Sequence, residues 1–230
     1  MPRRPSLFRR LTTATRWPVG IALTSWSYMW RTTPLHRSEA IDAGAPDPPP
    51  LPPDVDRAEL QGARDGAGPY FHRVYRTRIR DTDVSPEALV DRIATDLNAV
   101  APGEFARFHK VLGEDGELCV GDEYVVRMPG PWDGPVRVVE RTPTAWRFAT
   151  LDGHLEAGQI RFSAARDGLL EFRIESWTRS GSRFSNLLYH HLRMSKEIQL
   201  HMWTSVLERV AKLSGGRMTG GIEIRTRRVT

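Results

Sequence analysis

LLEFRIESW, Leu169 to Trp177, sets Leu170, Phe172 and Ile174 on one side of an extended chain and Glu171, Arg173 and Glu175 on the other. Successive side chains of a strand point to opposite faces, so this run reads as a β-strand with one buried face and one wet face. The same alternation recurs upstream at Tyr124, Val126 and Met128, at Val136 and Val138, at Trp146 and Phe148, and at Ile160 and Phe162. Asp115-Gly116, Asp133-Gly134, Asp152-Gly153 and Asp167-Gly168 separate the runs, and each dipeptide can supply the positive φ of a tight turn. The pattern predicts an antiparallel meander.

Ahead of the meander, FHRVYRTRI (Phe71 to Ile79) has Phe71, Tyr75 and Ile79 on one side and reads as a first strand. Ser85 and Pro86 offer a helix N-cap and an N1 proline, and Leu89, Ile93, Leu97 and Val100 follow at helical spacing. Residues 105–112 suit a helix or a strand. Behind the meander a long helix is predicted over 184–213, closed by Ser214-Gly215-Gly216, where glycine can take the left-handed cap. These elements bury their apolar faces together if a curved antiparallel sheet wraps the C-terminal helix. The predicted fold class is α+β, and the element order resembles the helix-grip, or START-like, architecture. That resemblance implies a cavity between sheet and helix.

The periodic elements fall within residues 69–216, which are expected to fold as one domain. Residues 1–40 read as an Arg-rich arm with a short aromatic and apolar segment, residues 41–68 as a Pro-rich linker, and residues 217–230 as a C-terminal tail. The chain carries a formal +5, but residues 1–38 alone hold seven arginines and no acidic residue, leaving −2 elsewhere. The domain is therefore not basic, and no specific nucleic-acid partner is expected. The arm is instead a candidate for peripheral contact with an acidic membrane surface or partner. PVGIALTSWSYMW (Pro18 to Trp30) is too short to span a bilayer, which takes about 20 residues. It is followed by RTTPLHR in place of a small-residue cleavage site. One cysteine, Cys119, excludes an internal disulfide and fits a reducing compartment, so the expected location is cytoplasmic.

Within the predicted C-terminal helix, YHHLRMSKEIQLHMW (Tyr189 to Trp203) gathers three histidines on an apolar pattern. His190, Glu197, His201, Thr204 and Glu208 form a polar stripe, expected to face solvent or a rim. His190 and His201 stand three turns apart, about 16 Å, too far to share one ion, so no metal site is expected. His191, Ser195 and Gln199 form a second polar row on the apolar face, bounded by Met194, Ile198 and Met202. Such a row either completes hydrogen bonds in a solid core or lines a cavity whose apolar wall carries a few orienting polar groups. On the cavity reading these six residues, with Trp146 from the sheet, are the candidate ligand contacts.

His154 and Glu156 in ATLDGHLEAGQIRF (Ala149 to Phe162) either carry acid–base chemistry or are solvated loop residues. WRFATLDGHLEAGQIRF followed by DGLLEFRIESWTRSGS resembles the family called domain of unknown function 1990, with its TLxGHxExGExxF-like segment. The resemblance covers roughly Tyr70 to Gly215 and rests on Thr150, Leu151, Gly153, His154, Glu156, Gly158 and Phe162. Gln159 stands where the pattern has Glu. The resemblance implies a fold and no mechanism, and the sequence holds no nucleotide loop, zinc pattern or nucleophile elbow. Three functions remain open: binding of a hydrophobic or amphipathic small molecule, cyclase-like acid–base catalysis by His191 or His154 on the same fold, and an interaction role for the arm. No cofactor is expected.

Overall fold

The structure, a computed structural model, describes residues 33–41, 44–103, 106–128, 133–181 and 194–229, with the backbone alone for 194–198. Its strands are β1 (Leu35–Ile41), β2 (Ala67–Arg80), β3 (Arg107–Leu112), β4 (Glu123–Arg127), β5 (Asp133–Thr142), β6 (Ala145–Thr150), β7 (Glu156–Asp167), β8 (Leu169–Ser180) and β9 (Arg217–Val229). Helix α1 (Pro86–Thr95) follows β2, and α2 (Met194–Leu213) lies between β8 and β9. The strands form one curved, unclosed sheet in the order β1-β9-β2-β8-β7-β6-β5-β4-β3. From β3 to β8 each strand pairs antiparallel with the next in sequence, which is the expected meander. Only β1 with β9 is parallel among the described pairs.

Alternation sends Tyr75 and Ile79 of β2, Trp146 and Phe148 of β6, Phe162 of β7, and Leu170, Phe172 and Ile174 of β8 to one face. Leu200, Leu207, Val210 and Ala211 of α2 and Leu89 and Ile93 of α1 join them in a single core. The sheet thus grips α2, as the sequence order predicts. Ser85 caps α1, its hydroxyl accepting from the amide of Ala88, and Gly215 takes the left-handed conformation after α2 with φ of 71°. Gly116, Gly153 and Gly168 supply the positive φ expected of their Asp-Gly turns. Asp133-Gly134 begins β5 rather than forming a turn, and the β5–β6 hairpin turns at Pro143-Thr144, where proline presets φ. Residues 107–112 are strand rather than helix.

The structure redraws the expected boundaries. Residues 217–229, read as a tail, are β9, paired with β2 from Tyr70 to Arg80 and burying Ile222 and Ile224 in the core. Leu35–Ile41, the end of the arm with the first linker residue, is β1, added beyond β9. The Pro-rich segment, read as a linker, is a strap on the outer face of the sheet. Val55, Leu51 and Leu60 pack there on Val139 and Ala149. Prolines donate no amide hydrogen bond but keep their carbonyl acceptors. Buried Arg147 donates to Pro49 O at 2.8 Å and Pro50 O at 3.1 Å, and Arg137 donates to the carbonyls of Asp56 and Ala58, both at 2.9 Å. The strap carbonyls add to the partners these guanidiniums have on the sheet itself, Glu140 for Arg147 and Glu123 for Arg137.

Among the described residues no helix is long and apolar enough to cross a membrane, and no group of three His, Cys, Asp or Glu side chains is placed to hold a metal ion.

Candidate functional site

The expected loop and the expected helix row meet at Glu156. As the first residue of β7, Glu156 shares a face with Gly158, Ile160 and Phe162, the face turned toward α2. Its Oε1 accepts from Gln199 Nε2 at 2.8 Å. Arg73 Nη1 stands 3.7 Å from the same oxygen. One carboxylate therefore ties the sheet to the helix beside a guanidinium.

The TLDGHLEAG hairpin holds Glu156 in place. Thr150 Oγ1 donates to Gln61 O at 2.8 Å and accepts from the amide of Gly158 at 2.9 Å, closing the neck of the loop. Leu151 is buried and bridges to Leu60 of the strap. Gly153 turns the chain at φ of 92°. Gly158 lets β7 approach β8, since a Cβ there would stand 2.0 Å from Trp177 O. Gln159, the departure from the family pattern, points to the outer face, where its Oε1 accepts from Arg147. It takes no part in the inner site.

His154 Nδ1 lies 2.9 Å from both the amide nitrogen and the carbonyl oxygen of Glu156, so either neutral tautomer is satisfied. A Cβ on Gly134 would stand 2.9 Å from His154 Nε2, so the glycine gives the ring its room. Burial pushes the His154 pKa below its ordinary value near 6.5, against the pull of Glu156. The sign follows from linkage: below about pH 6.5 the unfolded chain takes up a proton that the folded ring refuses, so stability falls as pH falls until the folded ring also titrates. His154→Gln, which does not titrate, is expected to lose less of its thermal midpoint between about pH 7.5 and pH 5.5 than the parent. Equal losses would show that His154 is not held neutral.

Arg73 is 6% exposed and its guanidinium lies 4.2 Å over the Phe71 ring. Its Nη2 is buried and meets no hydrogen-bond acceptor among the described residues. The same holds for the hydroxyl of Thr178, which is 4% exposed, and for Trp146 Nε1. Arg73 pairs with Ser176 across β2 and β8, and Thr178 is the next residue on that face of β8, a diagonal neighbour. Beyond them runs an aromatic wall. Trp146 stacks on Phe162 with centroids 4.8 Å apart, Phe162 meets Trp203 of α2 edge-on at 5.8 Å, and Phe148 stacks on Phe108 at 6.1 Å.

The predicted residues are distributed as follows. Gln199, Glu156 and His154 come together. Trp146 lies on the same face three strands from Arg73, about 14 Å at the usual strand spacing. Met202 packs on Ala106, toward the β3–β4 side. His190 and His191 lie outside the described residues, as do the side chains of Met194, Ser195, Glu197 and Ile198. The stripe expected to face solvent is partly buried: His201 is 5% exposed and Thr204 is fully enclosed. Thr204 tolerates this because its hydroxyl donates to Leu200 O within the helix, at 2.8 Å. Glu208, on the same stripe, accepts from the Thr33 hydroxyl at 2.7 Å. Arg73 and Thr178 were not anticipated, although both positions alternate with the apolar rows, Arg73 between Phe71 and Tyr75 and Thr178 after Ile174 and Ser176.

A curved sheet gripping one long helix, with a polar bridge between them at one end of an aromatic wall, defines a helix-grip α+β protein. Residues 57–209 match the family described as Domain of unknown function (DUF1990), and the chain belongs to that family. No curated protein sequence matches the chain.

Solved structures similar to it include protein Ms6760 from Mycobacterium smegmatis, at 13% identity and TM-score 0.40, over 71% of this chain and 97% of that one. Ginseng major latex-like protein 151 from Panax ginseng is similar at 16% identity and TM-score 0.43, over 64% and 99%. Norcoclaurine synthase from Thalictrum flavum, in complex with dopamine and hydroxybenzaldehyde, is similar at 9% identity and TM-score 0.44, over 73% and 96%. At these identities and scores the likenesses carry no statement about what this chain binds.

Proposed function

We propose that the chain binds a hydrophobic or amphipathic small molecule between the inner face of the sheet and α2. The observation that supports this reading is the set of buried donors, Arg73 Nη2 and the Thr178 hydroxyl, without protein acceptors among the described residues at the end of an aromatic wall. Buried polar groups in folded proteins almost always find partners, and a mostly apolar enclosure with a few convergent polar groups is the usual character of a ligand site. On the periodicity of the sequence, His191 and Ser195 continue the row to which Gln199 belongs, with Met194 and Ile198 bounding it.

Native mass spectrometry of the full chain purified from its own host tests the reading. A small molecule of constant mass is expected under gentle ionisation and is expected to be absent after denaturation. Protein of bare chain mass in every preparation, together with failure to take up any apolar probe, would overturn it.

A further inference from the structure

Resting on that reading, we infer that the ligand carries an oxygen acceptor, a carboxylate or carbonyl group, that docks against Arg73 and Thr178 while its apolar body lies along the aromatic wall. Arg73 supplies the donor. Its Nη1 edge is turned to Glu156 at 3.7 Å, whereas Nη2, buried with the residue 6% exposed, has no acceptor among the described residues. Guanidinium nitrogens carry hydrogens only and accept nothing, so the group that completes Nη2 must be an acceptor. Thr178 Oγ1 adds a second buried donor, a hydroxyl without a partner among the described residues, diagonal to Arg73 across the β2–β8 pair.

Glu156 sharpens the choice. Its carboxylate already offsets the Arg73 charge and is held by Gln199 from the helix, so the site needs oxygen lone pairs and not a second cation. The ring of Phe71 covers one face of the guanidinium at 4.2 Å, which leaves its edge for the in-plane hydrogen bonding that carboxylates and carbonyls accept. Isolated hydrocarbons or amines would leave the same donors unsatisfied.

The experiment uses the full chain and the neutral fluorophore N-phenylnaphthylamine as the probe of apolar space. Laurate, methyl laurate and 1-chlorododecane then compete for it, offering respectively a carboxylate, a carbonyl ester and no oxygen acceptor on closely matched chains. Laurate, methyl laurate or both are expected to displace the probe about tenfold better than the chloroalkane, the size of a hydrogen bond to a charged donor. Which of the two prevails identifies the acceptor as anionic or neutral.

Arg73→Met and Thr178→Val are each expected to erase that preference while the probe itself still binds. Thr178→Val is the more robust variant, because exchanging an unpartnered hydroxyl for a methyl group of the same shape keeps the fold. If the probe does not bind the parent, the ligand space itself is refuted. If the probe binds but the three competitors are equal, or the preference survives both variants, only the assignment of the acceptor to Arg73 and Thr178 falls.

Discussion

A chain ending at Gly216 is expected to lose its cooperative unfolding transition, although every element predicted from periodicity lies before that point. The truncation removes β9, which pairs with β2 at Tyr70–Thr77 and again at Arg78–Arg80 after a register shift. It takes Ile222 and Ile224 out of the core and leaves β1 without its described partner. Two buried isoleucines account for about 3 to 6 kcal/mol of burial alone, before the exposed edge of β2 is counted. Most domains hold only about 5 to 15 kcal/mol in total. Circular dichroism during heating should show a broad, non-cooperative change, or the product should be insoluble. A truncated chain melting sharply within a few degrees of the parent would mean that β9 adds nothing to the domain.

Gly158→Val is expected to have the second largest effect. A Cβ at this position would stand 2.0 Å from Trp177 O and 3.0 Å from Thr178 Cα, both backbone atoms of the paired strand, and φ is 151°. Relief requires β7 to leave β8, which also breaks the bond from the Gly158 amide to Thr150 and moves Glu156 away from Gln199. The loss should exceed about 4 kcal/mol, in the range that only overpacking or broken networks produce. Gly153→Ala is the comparison. Its φ is also positive, at 92°, but nothing stands within 4 Å of the added Cβ, so only conformational strain of about 1 to 3 kcal/mol is expected. Equal losses at the two positions, read from denaturant midpoints, would refute the close approach at Gly158.

Local signals were legible in the sequence and distant partnerships were not. The 169–177 run, the helix after Ser85 and three of the four Asp-Gly turns follow from periodicity and backbone preference, which act within a few residues. The strap was legible as a composition and not as a contact, because its carbonyls are taken by Arg147, 98 residues from Pro49. RMTGGIEIRTRRV shows only Ile222 and Ile224 in alternation with charged residues, and a strand this weakly patterned is fixed by the partner it meets. His201 and Thr204 were sorted outward by residue type, whereas hydrogen bonding inside the helix permits Thr204 to be buried. At the site, Glu156 and Gln199 were each legible, but their meeting depends on how α2 lies across β7. Arg73 escaped notice because the strand was read through its apolar residues, although an arginine at that phase must either be paired or serve a ligand.

The most direct test of ligand binding between sheet and helix is the indole nitrogen–proton NMR spectrum of the full chain during titration with N-phenylnaphthylamine. Trp203 lies on α2 against Phe162, while Trp177 lies on the opposite face of the sheet, stacked on His72. Signals would be assigned by single Trp→Phe variants. Saturable shifts of the Trp203 signal, with Trp177 unmoved, are the predicted result. Shifts confined to Trp177, or an unchanged spectrum at saturating probe, would contradict a ligand site between the sheet and α2.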